Sequence, residues 1–203
     1  SRQIATSPVV SPADIRRGRV LIVDDQPANV LLLEQALRRD GYSAVQSTLD
    51  STKVCELHLL HPFDLILLDL AMPGMDGFQV MESLKEIETD GYLPILVITA
   101  EPGHKLRALR AGARDFVSKP FDMAEVLMRV HNMIEVRLLH VERKRLYDQI
   151  AEEQKVSERL LLNVLPRSIV ERLKGRPEVT AEDFTEIIAD SFSEATVLSA
   201  GIV

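Results

Sequence analysis

Asp24, Asp25, Asp69, Thr99 and Lys119 are the residues whose types and spacing could do chemistry together. Each closes or follows a short apolar run. Asp24 and Asp25 follow Val20-Leu21-Ile22-Val23, and Asp69 follows Leu65-Ile66-Leu67-Leu68. Thr99 follows Ile95-Leu96-Val97-Ile98, and Lys119 stands just past Phe116-Val117. If the first and third runs are neighbours in a parallel sheet, the three carboxylates converge at the carboxyl ends of the strands, where ligands of such sheets collect. Three close carboxylates repel one another and lose hydration, so a cation has to compensate them. The donors are oxygens, and no His or Cys cluster stands by for a softer metal. Mg²⁺ is therefore the expected ion, held by one or two carboxylates, a carbonyl and waters. A hydroxyl and an ammonium facing that carboxylate suit a phosphoryl group, whose transfer depends on positioning and on neutralised oxygens. Asp69 is then the nucleophile, forming an aspartyl phosphate.

The elements that must position these residues are legible as a repeat of apolar run, polar turn and amphipathic segment. The remaining strand is expected at Ser43 to Gln46. Continuously apolar runs suit strands buried on both faces of a parallel sheet. Between them, Val30, Leu33 and Leu37 mark one helix, Val54 to Leu60 a second, Phe78, Met81 and Leu84 a third, and Leu106 and Leu109 a fourth. Alternating strands and helices mean right-handed βαβ crossovers with helices on both faces. A doubly wound α/β domain is expected over residues 19–135, after a flexible leader at 1–18 that holds Pro8, Pro12 and Gly18.

The fifth helical pattern runs on. Leu127, Val130, Ile134, Leu138 and Val141 keep one face apolar, and no Gly or Pro interrupts the chain from Met123 to Pro166. At 1.5 Å per residue this is a rod of roughly 60 Å. Heptad spacing continues through Leu139, Leu146, Ile150, Leu160 and Val164, with Arg143, Glu153 and Ser157 on the same seam. The expectation is an imperfect coiled coil over 136–165 that makes a homodimer through residues 123–165; the alternative is a single solvated helix laced with ion pairs.

Composition sets the bounds. The chain has 203 residues, 46% of them hydrophobic, enough for a real core. Its 24 Lys and Arg against 31 Asp and Glu give a net charge of −7, which argues against a nucleic-acid binder. No apolar run approaches the ~20 residues of a membrane span. Cys55 is the one cysteine and forms no intrachain disulfide. No signal peptide is readable, so a cytoplasmic protein is expected, without membrane or nucleic-acid partners.

Taken together, Val20-Leu21-Ile22-Val23-Asp24-Asp25, Asp69-Leu70-Ala71-Met72-Pro73-Gly74-Met75-Asp76-Gly77, Thr99-Ala100 and Lys119-Pro120-Phe121 resemble the receiver domain of two-component response regulators. The resemblance implies a flavodoxin-like doubly wound (βα)5 fold with a parallel sheet, its last helix extended into a coiled coil. It implies that Asp69 accepts phosphate from a sensor histidine kinase, and that Asp24, Asp25, Asp69 and the carbonyl of Ala71 hold Mg²⁺. Lys119 would pair with the phosphate and Thr99 would move to bond it. Phe116 stands at the family's switch aromatic, without the phenolic hydroxyl of the commoner Tyr. Lys119-Pro120 is often cis in the family. Asp76 and Gly77 read more simply as a turn, and Asp24 and Asp25 could instead cap the following helix. The five histidines, His58, His61, His104, His131 and His140, have no ligand spacing.

The last residues carry a second resemblance. Leu160-Leu161-Leu162-Asn163-Val164-Leu165-Pro166 with Ile169-Val170-Glu171-Arg172-Leu173 is similar to the signalling helix before class III adenylyl or guanylyl cyclase domains. Residues 166–203 are expected to be a linker and the truncated or decayed start of such a domain. Ala195 to Val203 reads as a strand, with Gly201 where that family has a metal-binding Asp. No cyclase catalytic residue is present, so cyclase activity is expected only in a longer parent. A haloacid-dehalogenase-type hydrolase is disfavoured because Asp25 is followed by Gln26-Pro27, and a DNA-binding regulator because no helix-turn-helix is readable.

Overall fold

The computed structural model describes residues 10–88, 92–100 and 102–164. The chain divides into a compact unit over Ser1–Tyr147 and a second over Asp148–Val203. The first holds β1 (Arg19–Val23), α2 (Pro27–Arg39), β2 (Ala44–Thr48), α3 (Val54–Leu60), β3 (Leu65–Asp69), α4 (Gly77–Ile87), β4 (Ile95–Thr99), α5 (Lys105–Ala111) and β5 (Asp115–Ser118), preceded by α1 (Pro12–Arg17). The last helix, α6, runs without a break over Met123–Val164. Expectations placed on residues 165–203, the terminal strand included, lie outside the described residues.

All pairings are parallel, in the order β2-β1-β3-β4-β5. Strand side chains alternate between faces, so each apolar run feeds two cores. Val20, Ile22, Leu65, Leu67, Leu96, Ile98 and Val117 meet α2 and α6 on one face. Leu21, Val23, Ile66, Leu68, Ile95 and Val97 meet α3 and α4 on the other. This is the flavodoxin-like doubly wound (βα)5 architecture. The strand expected at Ser43 to Gln46 is shifted to Ala44–Thr48; it is one of the two edge strands, where partial exposure blurs the apolar signal.

Three local expectations need correction. Residues 12–17, assigned to a flexible leader, form α1: Ser11 caps it reciprocally with Asp14, and Pro12 opens it. Ile15 of this turn is buried in the core with Val130 and Ile134 of α6, and Ser43 N–H donates to the Arg16 carbonyl at 3.1 Å. Its single large apolar side chain was too little for a periodic pattern. On α5 the buried residue is Ala108, whereas Leu106 is 67% exposed and Leu109 is exposed. A tight turn over Pro102–His104 feeds this short helix and sets its phase, turning the small residue towards the sheet. On α6 the inward positions are Val126, Val130 and Ile134; Leu127 and Leu138 flank them, and Val141 is exposed.

Docking of α6 does not end at residue 135. Arg137 is buried and its guanidinium donates to the Tyr92 carbonyl at 2.6 Å, while His140 stacks on the Tyr92 ring. No described helix is long and apolar enough to cross a membrane.

Candidate functional site

The β1–β3 pairing left conditional by the sequence is present, with Val23 in register with Leu68. Asp24 and Asp69, the next residue along each strand, are therefore side by side at the carboxyl edge. Oxygens of Asp24, Asp25 and Asp69 all lie within 4.8 Å of one another. Asp24 and Asp69 are buried, and Asp25 is half-buried. Lys119, carried by the β5–α6 loop, bridges the two buried carboxylates: its Nζ is 2.7 Å from Asp24 Oδ2 and 3.0 Å from Asp69 Oδ1. The Lys119–Pro120 bond is cis, and the Lys119 amide donates to the Thr99 carbonyl at 2.8 Å. Thr99 itself is buried at the end of β4, one residue beyond Ile98, which is in register with Asp69.

Electrostatics follow from this packing. Burial raises the carboxyl of Asp69 above its ordinary value, a push that the Lys119 ammonium counters and the Asp24 charge reinforces. Burial works against the charge on Lys119, but hydrogen bonds from its ammonium to Asp24 and Asp69 outweigh it and hold its pKa above the usual lysine value. The cluster is an all-oxygen donor set with one resident ammonium, which fits a hard divalent cation.

The loop after Asp69 is held at several points. Ala71 N–H donates to Asp69 Oδ2 at 3.2 Å, so its amide faces the carboxylate. Asp76 caps α4 through a reciprocal bond pair with Gln79, which supports the turn reading of Asp76. Gly77 is there for space: a Cβ at this position would stand 2.5 Å from the Asp69 carbonyl oxygen. Phe116 is half-buried on β5, and the Lys105 ammonium lies 4.1 Å over its ring.

The sequence reading missed three contributors. Asn29 Nδ2 donates to both oxygens of Asp24, at 3.1 and 3.0 Å, and Gln26 N–H to Oδ1 at 2.9 Å. Asn29 sits on the first turn of α2, so a helix start immediately after a paired acid was the available signal. The buried Ser51 donates to the Met75 carbonyl at 2.7 Å, pinning the loop after Asp69 from an unrelated segment. Nothing local marks it.

The carboxyl edge of this parallel five-stranded sheet thus carries an acidic cluster bridged by a lysine. The response regulator receiver domain model matches residues 20–131, and this chain belongs to that family. Response regulator PleD of Caulobacter vibrioides is 38% identical over 124 residues, covering 60% of this chain and 27% of PleD. The DNA-binding dual master transcriptional regulator RpaA of Synechocystis is 36% identical over 154 residues, covering 75% of this chain and 58% of RpaA. Among solved structures, the receiver domain of sensor histidine kinase PA1611 from Pseudomonas aeruginosa PAO1, with magnesium coordinated in its active-site cleft, superposes with a TM-score of 0.54 at 29% identity. That match covers 58% of this chain and 98% of the solved domain. The chain thus spans about a quarter of the length of PleD and somewhat over half that of RpaA.

Proposed function

We propose that Asp69 is the phosphoacceptor of this receiver and that a sensor histidine kinase is its phosphoryl donor. The observation that carries this reading is the Lys119 bridge between two buried carboxylates at the end of β1 and β3. An Asp69 carboxylate oxygen attacks phosphorus; the new O–P bond forms as the P–N bond of the donor phosphohistidine breaks, and the imidazole leaves with the electron pair. Lys119 reaches the incoming phosphoryl oxygens as it releases Asp69, and Thr99 at the same edge supplies a hydroxyl to them. Mg²⁺, when held by Asp24, Asp25, Asp69 and the Ala71 carbonyl, supplies neutralisation of the phosphoryl charge. The acidic oxygens within 4.8 Å support the three carboxylates of that ligand set. Bonding of the phosphate by Thr99 vacates space into which Phe116 repacks, away from Lys105, biasing a two-state face.

The signal then travels along α6 to an output domain. Val136, Leu139, Leu146 and Ile150 are exposed on α6, which supports homodimerisation through residues 123–165. A nucleotidyl cyclase is the second reading of the output, carried by the signalling-helix resemblance at Leu160 to Leu173. The test is intact mass after incubation with acetyl phosphate and Mg²⁺. Wild type gains one phosphoryl group and Asp69→Asn gains none; labelling of both, or of neither, would sink the assignment.

A further inference from the structure

We propose that Asn29 is a positioning residue that competes with the divalent cation for Asp24, and so sets how much Mg²⁺ the receiver needs. This rests on the reading of Asp24 as part of the cation site. An ionised carboxylate offers about four lone-pair positions. On Asp24 all are taken. Oδ1 accepts from Gln26 N–H at 2.9 Å and Asn29 Nδ2 at 3.1 Å, while Oδ2 accepts from Asn29 Nδ2 at 3.0 Å and Lys119 Nζ at 2.7 Å. Asp24 is 2% exposed, so no solvent-facing lone pair remains for a cation or its water. One donor has to leave before Asp24 can serve a cation.

The three donors differ in what release would require. The Gln26 amide belongs to the backbone that opens α2, and moving it would unwind the helix start. Lys119 is shared with Asp69 and is held between two carboxylates. Asn29 is a half-buried side chain on a formed helical turn and withdraws by rotation about its own side-chain torsions alone. Its neutral amide also has less to lose than an ammonium, because hydrogen bonds between two charged groups are the stronger ones. A parallel arrangement occurs next door, where Gln26 Nε2 donates to Asp25 Oδ2 at 3.3 Å, so the cap and first turn of α2 together lay an amide on each member of the acid pair.

Alanine at position 29 suits a helix and removes only the amide. The experiment is calorimetric titration of the full chain with Mg²⁺ alone, wild type against Asn29→Ala, together with melting temperatures in chelator and in saturating Mg²⁺. Asn29→Ala should bind Mg²⁺ at least about 10-fold more tightly, since a hydrogen bond to a charged group no longer has to be surrendered. It should melt below wild type in chelator, and the gap should close in saturating Mg²⁺. Equal or weaker binding, or a gap that Mg²⁺ leaves unchanged, would overturn the competition and make Asn29 a structural hydrogen bond only. If wild type itself takes up no Mg²⁺, the cation-site reading fails first and the inference falls with it.

Discussion

Lys119 Nζ lies 3.0 Å from Asp69 Oδ1, although 50 positions separate the two residues in the chain. Asp69 closes the central strand, and Lys119 leaves the edge strand β5, so the contact exists only once β3, β4 and β5 have paired. The Lys119 side chain is 19% exposed, against 5% for Asp69 and 3% for Asp24. Replacing the ammonium by a methyl thioether would leave two desolvated carboxylates with no cation. Lys119→Met should therefore lose about 2 kcal/mol of stability in chelator, less than for a fully buried pair because water reaches the ammonium. Saturating Mg²⁺ should restore part of that. Urea unfolding of both proteins in the two buffers checks it, and equal midpoints in chelator would refute it.

Ser51 holds the far side of the same site through its 2.7 Å bond to the Met75 carbonyl. Ser51→Ala leaves that carbonyl without its buried donor and should lower stability by about 1–2 kcal/mol. Because Met75 belongs to the loop that places Ala71 and Gly77 around Asp69, labelling by acetyl phosphate should slow as well. Stopped mass measurements over time, at a temperature where both proteins are folded, separate the two effects.

Tyr42 gives the clearest pH dependence. Its ring is buried, its hydroxyl has no hydrogen-bond partner among the described residues, and burial, with the Asp40 charge adding, pushes its pKa up to about 12. The raised value means the fold favours the neutral phenol. That contribution is complete below the ordinary tyrosine pKa near 10 and is lost as pH rises from about 10 through 12. Tyr42→Phe should be more stable than wild type at pH 7 by about 1 kcal/mol, having shed an unsatisfied hydroxyl. Its advantage should widen between pH 10 and 12, as read by unfolding midpoints across that range.

Ile15 tests the added N-terminal turn. It is 2% exposed against Val130 and Ile134, and a Cβ on Gly18 would stand 2.6 Å from the Ile134 side chain, so α1 and α6 fit closely. Ile15→Ala should cost about 3 kcal/mol, the range for a large core side chain reduced to a methyl. A flexible leader would give no change on thermal unfolding.

The sequence alone determined the parts that rest on short-range regularity. Continuously apolar runs such as Leu65-Ile66-Leu67-Leu68 announce doubly buried strands, and the acids, Thr99 and Lys119 take their places from the ends of those runs. Helix phase was legible where several large residues repeat, as at Val30, Leu33 and Leu37, and misread on α5, where one Ala decides. Tertiary structure alone decided which strands are neighbours, and so that Asp24, Asp69 and Lys119 share one pocket. It also decided that Ile15 completes the core, that Ser51 ties down a loop beyond Asp69, and that Asn29 fills the lone pairs of Asp24. The physical reason is range: periodicity is written over a few residues, whereas hydrogen-bond saturation of a buried carboxylate depends on groups brought in from β1, α2 and the β5–α6 loop at once.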